Sequence, residues 1–214
     1  MNGAFSWEAF DKAPLVAILR NLPASSLLSI AKCMVTSGIS TMEITINTPG
    51  ALESIQSLRE NYGDKLNIGA GTVCNLSDMH GALDAGAQFI VMPVCDEDVI
   101  NYCVIHKIPV FPGAYTPTEI FKAWQLGATM VKVFPASDLG PSYIKDVLAP
   151  LDGIKLMPTG GVTLENLGTF FEAGAKAVGI GGGIVPKKLI ETEDWKGLEK
   201  LMSNFIRAYN KSTL

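Results

Sequence analysis

A lysine stands in the middle of a short apolar segment, Thr129-Met-Val-Lys-Val-Phe-Pro135. Val131, Val133 and Phe134 favour a strand, and the final proline ends it. Because a lysine is seldom buried without a partner, Lys132 either extends its ammonium group to water or joins a structural ion pair. The third possibility is a desolvated amine with a lowered pKa, which can attack a carbonyl carbon and form a Schiff base.

Two glycine-rich segments are suited to binding a phosphate group. They are Met157-Pro-Thr-Gly-Gly-Val162 and Gly179-Ile-Gly-Gly-Gly183. Glycine lets backbone N–H groups approach an anion closely, although it also serves ordinary tight turns. The candidate binding residues in these segments are Thr159, Gly160, Gly161, Gly181, Gly182 and Gly183.

Polar residues also follow the first three strands that the sequence predicts. Arg20 follows the first, Asn47 the second and Thr72 the third. In a barrel of parallel strands, function lies at the carboxyl ends of the strands. Arg20 is either solvated there or binds an anion, a task that suits its planar guanidinium group.

The elements that would position these residues recur along the chain. Four similar segments each end a helical pattern with a glycine and precede a short apolar run, with spacings of 48, 41 and 47 residues. A helix, a strand and their loops take about half of such a spacing, so each period predicts two βα units and the chain predicts eight. The repeat glycines are Gly38, Gly86, Gly127 and Gly174.

Eight βα units in about 200–250 residues are typical of a (β/α)8 TIM barrel, here one domain over residues 1–214. A short helix within Met1–Ala13 should close the bottom of the barrel, and Trp195–Tyr209 should form the last helix. The alternative is a doubly wound open sheet, but this sequence has no GxGxxG fingerprint at the start of its first helix. The predicted strands are Leu15–Leu19, Thr41–Ile46, Asn67–Gly71, Gln88–Pro93, Pro109–Pro112, Met130–Phe134, Lys155–Pro158 and Ala177–Gly181.

The repeat register predicts a partner for Lys132. Both Glu43 and Lys132 lie five residues after a repeat glycine, on even-numbered strands, and Gly179 holds the same register position. Alternate strands contribute the inward side chains of one barrel layer, so the acid and the amine should share a layer. A buried structural ion pair would also explain this placement. The small residues of that layer favour a ligand and a catalytic lysine instead.

The composition excludes several classes of function. The net charge of −4 without a basic run argues against nucleic-acid binding, and no apolar run is long enough for a membrane span. The four cysteines have no zinc or redox spacing, and without a signal peptide they predict reduced thiols in the cytoplasm. The two histidines form no clustered set of metal ligands.

Five motifs together resemble the family of 2-keto-3-deoxy-6-phosphogluconate and 4-hydroxy-2-oxoglutarate aldolases, which also includes 2-keto-3-deoxy-6-phosphogalactonate aldolases. The resemblance covers most of the chain, from about Pro14 to Pro186. The motifs are Glu43-Ile-Thr-Ile-Asn47, Ile68-Gly-Ala-Gly-Thr-Val73, Phe111-Pro-Gly113, Val131-Lys-Val-Phe-Pro135 and Pro158-Thr-Gly-Gly161.

The resemblance implies a class I aldolase that forms a homotrimer of barrels and uses no metal or cofactor. It implies that Lys132 forms the Schiff base, Glu43 is the general acid and base, and Thr72 lies near the substrate carboxylate. Gly160 and Gly161 match the phosphate loop. The partner would be a small 2-keto-3-deoxy sugar acid phosphate, cleaved to pyruvate and glyceraldehyde 3-phosphate, or 4-hydroxy-2-oxoglutarate, cleaved to pyruvate and glyoxylate.

Some positions depart from the gluconate-type pattern. Asn47 stands where gluconate-type members often carry an arginine, and with Arg20 it resembles the galactonate type, whereas Thr159 resembles the gluconate type. Gly183 replaces a serine that is usual near that position. The alternatives are therefore a 2-keto-3-deoxy-6-phosphogalactonate aldolase, another phosphate-binding barrel enzyme such as an isomerase or decarboxylase, and a non-catalytic sugar-phosphate binder.

Overall fold

Short parallel strands alternate with helices along the chain in the computed structural model, which describes residues 4–212. The strands are β1 Leu15–Leu19, β2 Thr41–Thr45, β3 Asn67–Gly71, β4 Ile90–Val91, β5 Val110–Phe111, β6 Gly113–Ala114, β7 Val131–Val133, β8 Leu156–Pro158 and β9 Val178–Ile180. The helices are α1 Trp7–Lys12, α2 Leu27–Ser37, α3 Ala51–Tyr62, α4 Leu76–Asp84, α5 Glu97–Ile105, α6 Pro117–Gln125, α7 Gly140–Leu148, α8 Leu167–Glu172, α9 Lys187–Glu191 and α10 Trp195–Ser212.

All strand pairs are parallel, and the strands form two sheets. Six strands form a curled half-barrel in the order β5-β4-β3-β2-β1-β9, and three form a second sheet in the order β6-β7-β8. An isolated parallel bridge between Thr159 and Gly179 links the end of β8 to β9. The predicted α/β class with parallel strands is confirmed.

Several strands are shorter than predicted, and one predicted strand is divided in the structure. The segment Pro109–Pro112 continues beyond Pro112 and is divided into β5 and β6, which belong to different sheets. Proline has no N–H group to donate to a strand ladder, so a strand is interrupted at this residue. The Pro112 carbonyl still accepts a hydrogen bond of 2.8 Å from the Lys132 N–H group, which ties this break to β7.

The repeat glycines have a common backbone conformation. Gly38, Gly86, Gly127 and Gly174 have φ angles of 89°, 93°, 93° and 102°. This left-handed region is open to glycine and closed to most other residues, and it ends a helix by turning the chain toward the next strand. The inference that these glycines end helices is therefore confirmed.

The buried side chains form two clusters. The larger one lies between the helices and the strands, and it includes Leu15, Ala17 and Leu19 from alternate positions of β1. The smaller one, here called the inner cluster, lies on the opposite face of the strands. Its members are Phe5, Phe10, Val16, Phe89, Val91, Phe111, Met130, Met157 and Ala177.

Helix α1 covers one end of the strands. Phe10 is 1% exposed, and its ring contacts that of Phe5 at a centroid distance of 5.5 Å. The predicted N-terminal helix is thus present over Trp7–Lys12, while positions 1–3 of the predicted segment lie outside the described residues. Within residues 4–212, no helix is both long and apolar enough to cross a membrane.

Candidate active site

Lys132 lies on the inner face of β7 because side chains alternate along a strand. Met130 belongs to the inner cluster, and Lys132 and Phe134, two and four residues later, line a cavity above that cluster. The lysine is 3% exposed. Its Nζ atom lies 4.8 Å from the centroid of the Phe134 ring, within the range of a cation–π contact.

Glu43 occupies the middle of β2, and its side chain is 1% exposed. The backbone of Glu43 pairs with Ile18 of β1 and Gly69 of β3. Neither of its carboxyl oxygens has a hydrogen-bond partner within the described residues. A buried polar group without a partner is costly, and it marks a group that is available for a ligand or for catalysis.

Glycine at position 71 makes room for this carboxyl group. A Cβ atom added to Gly71 would lie 2.7 Å from Glu43 Cδ and closer still to Glu43 Oε1. Real Cβ atoms do not approach other atoms this closely. The Gly71 backbone therefore forms one wall of the space that holds the Glu43 carboxyl group.

Glu43 and Lys132 interact electrostatically without forming a close ion pair. Within the described residues, neither carboxyl oxygen of Glu43 has a hydrogen-bond partner. The Lys132 Nζ atom lies more than 4.0 Å from both of these oxygens. Burial raises the pKa of Glu43, against the opposing positive charges of Lys132 and Arg20. Burial also lowers the pKa of Lys132; Glu43 opposes this shift and Arg20 adds to it. Burial thus favours a carboxylic acid beside a free amine.

Arg20 lies at the end of β1 and reaches across toward β3. Its Nη2 atom donates a hydrogen bond of 3.3 Å to Thr72 Oγ1. Thr72 has a φ angle of 61°, which is unusual for a β-branched residue, and such strained residues cluster at active sites and ligand clamps. Arg20 is exposed and lines the cavity, so its guanidinium group is accessible to an anion there.

The cavity that contains Lys132 has a volume of about 350 Å³, which suits a small metabolite. Thr159, Gly160, Gly181 and Gly182 line its wall, at the ends of β8 and β9. Gly160 has a φ angle of 95°, so this turn depends on glycine. Its backbone can therefore lie close to a bound group without an intervening side chain.

Five of the other candidate residues are not among the residues that line the cavity. Gly161 and Gly183 belong to the same two glycine turns, and Asn47 is exposed after β2. Glu43 is buried within β2, and Thr72 directly follows β3. Sequence reasoning missed Asn21, Leu22 and Lys187, which do line the cavity. Their loops show no pattern that could have identified them, apart from the position of Asn21 directly after Arg20.

The chain matches the model of one protein family over residues 7–201, described as "Aldolase: KDPG and KHG aldolase". Among curated proteins, it is 38% identical over 179 residues to 2-dehydro-3-deoxy-6-phosphogalactonate aldolase from Escherichia coli (strain K12), covering 83% of this chain and 86% of that protein. It is 33% identical over 197 residues to 2-dehydro-3-deoxy-phosphogluconate aldolase from Treponema pallidum (strain Nichols), covering 91% and 93%.

A solved structure shows the same likeness. The chain superposes with a TM-score of 0.82 and 26% identity on KDPG aldolase from Legionella pneumophila, covering 91% of this chain and 95% of that one. That crystal structure holds pyruvate captured at low pH as a covalent carbinolamine intermediate.

Proposed function

The chain belongs to the KDPG and KHG aldolase family, and we propose that it cleaves 2-keto-3-deoxy-6-phosphogluconate to pyruvate and glyceraldehyde 3-phosphate as a class I aldolase. The observation that carries this proposal is the burial of Lys132 and Glu43 within electrostatic reach of each other. Both side chains are at most 3% exposed, and burial shifts the pKa of each toward its neutral form. A neutral amine is the form that attacks a ketone.

The reaction begins when Lys132 Nζ attacks the C2 carbonyl carbon of the keto acid. Glu43 supplies the proton that lets the carbinolamine lose its hydroxyl group as water, which leaves an iminium ion. The Glu43 carboxylate then removes the proton of the C4 hydroxyl group. The C3–C4 bond breaks, and its electron pair moves into an enamine. Glyceraldehyde 3-phosphate leaves as the aldehyde.

The second half of the reaction returns the enzyme to its starting state. Glu43 gives its proton to C3 of the enamine. Water then adds to the resulting iminium ion, the C–N bond breaks to release pyruvate and the free amine, and the remaining proton returns to the Glu43 carboxylate. In this scheme Arg20 binds the C1 carboxylate, with Thr72 and Asn47 as neutral helpers. Thr159 and the glycines at 160, 161, 181, 182 and 183 bind the phosphate group.

A second substrate is the galactonate epimer, and the same site could serve it. The 38% identity to a phosphogalactonate aldolase supports this candidate, against 33% for a phosphogluconate aldolase. The two substrates differ only in configuration at C4, so the reaction and the residues that carry it are the same. Separate kcat/KM values for both epimers decide which is preferred, and cleavage of 4-hydroxy-2-oxoglutarate tests the shorter substrate.

We also propose that the two sheets close into a single (β/α)8 barrel. The Thr159–Gly179 bridge at one flank and the single-residue break at Pro112 at the other support this arrangement. The family resemblance further implies a homotrimer, which sedimentation equilibrium of the purified chain would test. A cytoplasmic location is likewise proposed, and the free state of Cys33, Cys74, Cys95 and Cys103 is compatible with it.

The experiment that tests the function is borohydride trapping with pyruvate, followed by intact mass and peptide mapping. One reduced pyruvyl group should be added per chain, on the peptide that contains Lys132. Lys132→Ala and Lys132→Arg should form no adduct and cleave no substrate, because an arginine stays protonated and cannot attack. The control is Lys176→Ala, which removes an exposed lysine before β9.

Two outcomes would contradict the proposal. An undiminished adduct in Lys132→Ala would place the nucleophile elsewhere. Loss of activity in EDTA, restored by a divalent metal ion, would contradict the Schiff-base mechanism as a whole.

A further inference from the structure

The cavity contains a third positive charge that the proposed mechanism does not use. Arg20, Lys132 and Lys187 all line it, and none of its lining residues is an aspartate or a glutamate. Lys132 is committed to the ketone carbon and Arg20 to the C1 carboxylate. Lys187 therefore remains available for another anionic group in the same cavity.

The backbone before and after Lys187 is held in place by buried residues. Ile184 and Val185 are 0% and 3% exposed, and their N–H groups donate to the Gly181 carbonyl at 3.0 and 3.3 Å. Ile190, three residues after Lys187, is 3% exposed. The Cα atom of Lys187 thus has a fixed position beside the glycine turn, while its side chain is exposed at the cavity mouth.

No carboxylate neutralises this lysine in the described part of the chain. Two ion pairs within residues 4–212 join Lys12 to Glu8 and Lys122 to Glu97, and neither involves Lys187. Glu191, one helical turn after Lys187, lies beyond ion-pair distance of it. An unpaired ammonium group at the mouth of a cavity without acidic residues attracts anions.

We propose that Lys187 is a specificity-determining residue that binds the distal anionic group of the substrate. This inference rests on the proposed function and adds to it the selection of keto acids that carry a second anion far from the ketone. The glycine turns contribute only neutral backbone donors around that group. Lys187 contributes a full positive charge, and a compact ammonium group suits the oxygens of a phosphate from any direction.

The test compares Lys187→Ala with the parent protein on two substrates that differ only at the distal end. For the 6-phosphorylated keto acid, kcat/KM should fall about 10-fold, mainly through KM, because an exposed charge pair contributes modestly. For the unphosphorylated 2-keto-3-deoxy acid, kcat/KM should stay within about 2-fold of the parent value. Lys187→Arg should keep most of the preference, and high salt should reduce the difference.

The neighbouring Lys188 is the matched control. It is exposed on the same helix but does not line the cavity, so Lys188→Ala should leave both substrates unchanged. Equal losses in Lys187→Ala and Lys188→Ala, or equal losses on both substrates, would overturn the proposal. The response of 4-hydroxy-2-oxoglutarate shows whether a distal carboxylate is bound as well as a phosphate.

A failure of this inference is distinguishable from a failure of the proposed function. Lys187→Ala should trap pyruvate with borohydride as fast as the parent protein, since pyruvate has no distal anion. A parent protein that neither traps pyruvate nor cleaves substrate refutes the function. The role of Lys187 is then judged with inorganic phosphate, which should raise the Tm of the parent more than that of Lys187→Ala; equal shifts would refute it.

Discussion

The strand interior has an apolar half, formed by the inner cluster, and a polar half, which contains Lys132. Both halves lie on the same strands. Met130, Met157 and Ala177 belong to the inner cluster, and the residues two positions later are Lys132, Thr159 and Gly179. A step of two residues keeps the same face of a strand and moves the side chain by about 6.6 Å. The apolar half stabilises the fold, and the polar half leaves room for a ligand.

Two glycines of β3 show the same contrast within one strand. A Cβ atom on Gly69 would lie 2.5 Å from Phe89 Cε1, whereas one on Gly71 would collide with the Glu43 carboxyl group. Both glycines thus make room for a larger side chain from a neighbouring strand. At Gly69 the neighbour is a ring in the inner cluster, and at Gly71 it is the proposed acid and base.

The apolar half offsets the energetic cost of the polar half. The carboxyl oxygens of Glu43 have no hydrogen-bond partners in the described residues, and a buried group in that state costs about 1–3 kcal/mol. Burial of the aromatic rings in the inner cluster supplies favourable free energy of similar or larger size. Substitutions in the two halves should therefore separate activity from stability.

Among substitutions that keep Lys132, the largest expected effect belongs to Glu43→Gln in the polar half. This substitution keeps the size of the side chain and removes its ability to transfer protons. Turnover should fall by about 10²–10⁴-fold, the usual contribution of general acid–base catalysis. The measurements are kcat on the phosphorylated keto acid and the free energy of unfolding in urea. Near-normal turnover would show that Glu43 is only a structural partner of Lys132.

Phe89→Ala should have the opposite profile, since it removes a ring from the apolar half. Phe89 is 0% exposed and contacts Phe5 at a centroid distance of 5.3 Å and Phe111 at 5.6 Å. The free energy of unfolding should fall by about 3–5 kcal/mol, while kcat of the folded fraction changes little. Phe121→Ala is the control, because Phe121 is 44% exposed and its loss should be nearly neutral.

A large loss of kcat without loss of stability in Phe89→Ala would refute the division of the interior into two halves. The same holds if Phe121→Ala destabilises the protein as much as Phe89→Ala does.

The next effect compares Gly71→Ala with Gly69→Ala. In Gly71→Ala, the added methyl group should displace the flexible Glu43 side chain and reduce kcat about 100-fold, as small misplacements of catalytic groups do. In Gly69→Ala, the methyl group meets a rigid buried ring, so the free energy of unfolding should fall by about 1–3 kcal/mol. Both quantities are measured for both variants. Identical profiles would contradict the comparison.

The sequence was sufficient to predict the polar half because the βα unit recurs. Gly38 and Gly127 end equivalent helices, so counting from them placed Glu43 and Lys132 at equivalent positions of two strands. The members of the inner cluster could not be identified by counting from the repeat glycines. Nothing in the local sequence of Met130 distinguishes a residue inside the strands from one that packs against a helix.

The positions of loop residues could not be predicted from the sequence, for a different reason. The position of Lys187 depends on the hydrogen bonds of the turn that begins at Gly181 and on the burial of Val185, which are tertiary features. The strand break at Pro112 was also only partly predictable. The proline could be read from the sequence, but the assignment of the segments before and after it to different sheets could not. Strand ends and loops are set by contacts between distant segments of the chain.

The smallest expected effect is that of Arg20→Ala, at the edge of the polar half. Removal of the guanidinium group should cost about 1.5 kcal/mol in transition-state binding, near the lower end for a hydrogen bond to a charged group, because Arg20 is exposed. The C1 carboxylate is common to all substrates, so phosphorylated and unphosphorylated keto acids should lose kcat/KM equally. A loss confined to the phosphorylated substrate would instead make Arg20 a phosphate ligand.

Arg20→Ala should also change the pH dependence of pyruvate trapping. The positive charge of Arg20 disfavours a second positive charge nearby and so helps to lower the pKa of Lys132. Without Arg20 the pKa of the amine rises, more of it is protonated at a given pH, and the acid limb of the rate profile moves to higher pH. Arg207→Ala, which removes an exposed arginine of α10, is the control and should leave the profile unchanged. An unshifted profile in Arg20→Ala would show that the charge of Arg20 does not act on the Lys132 amine.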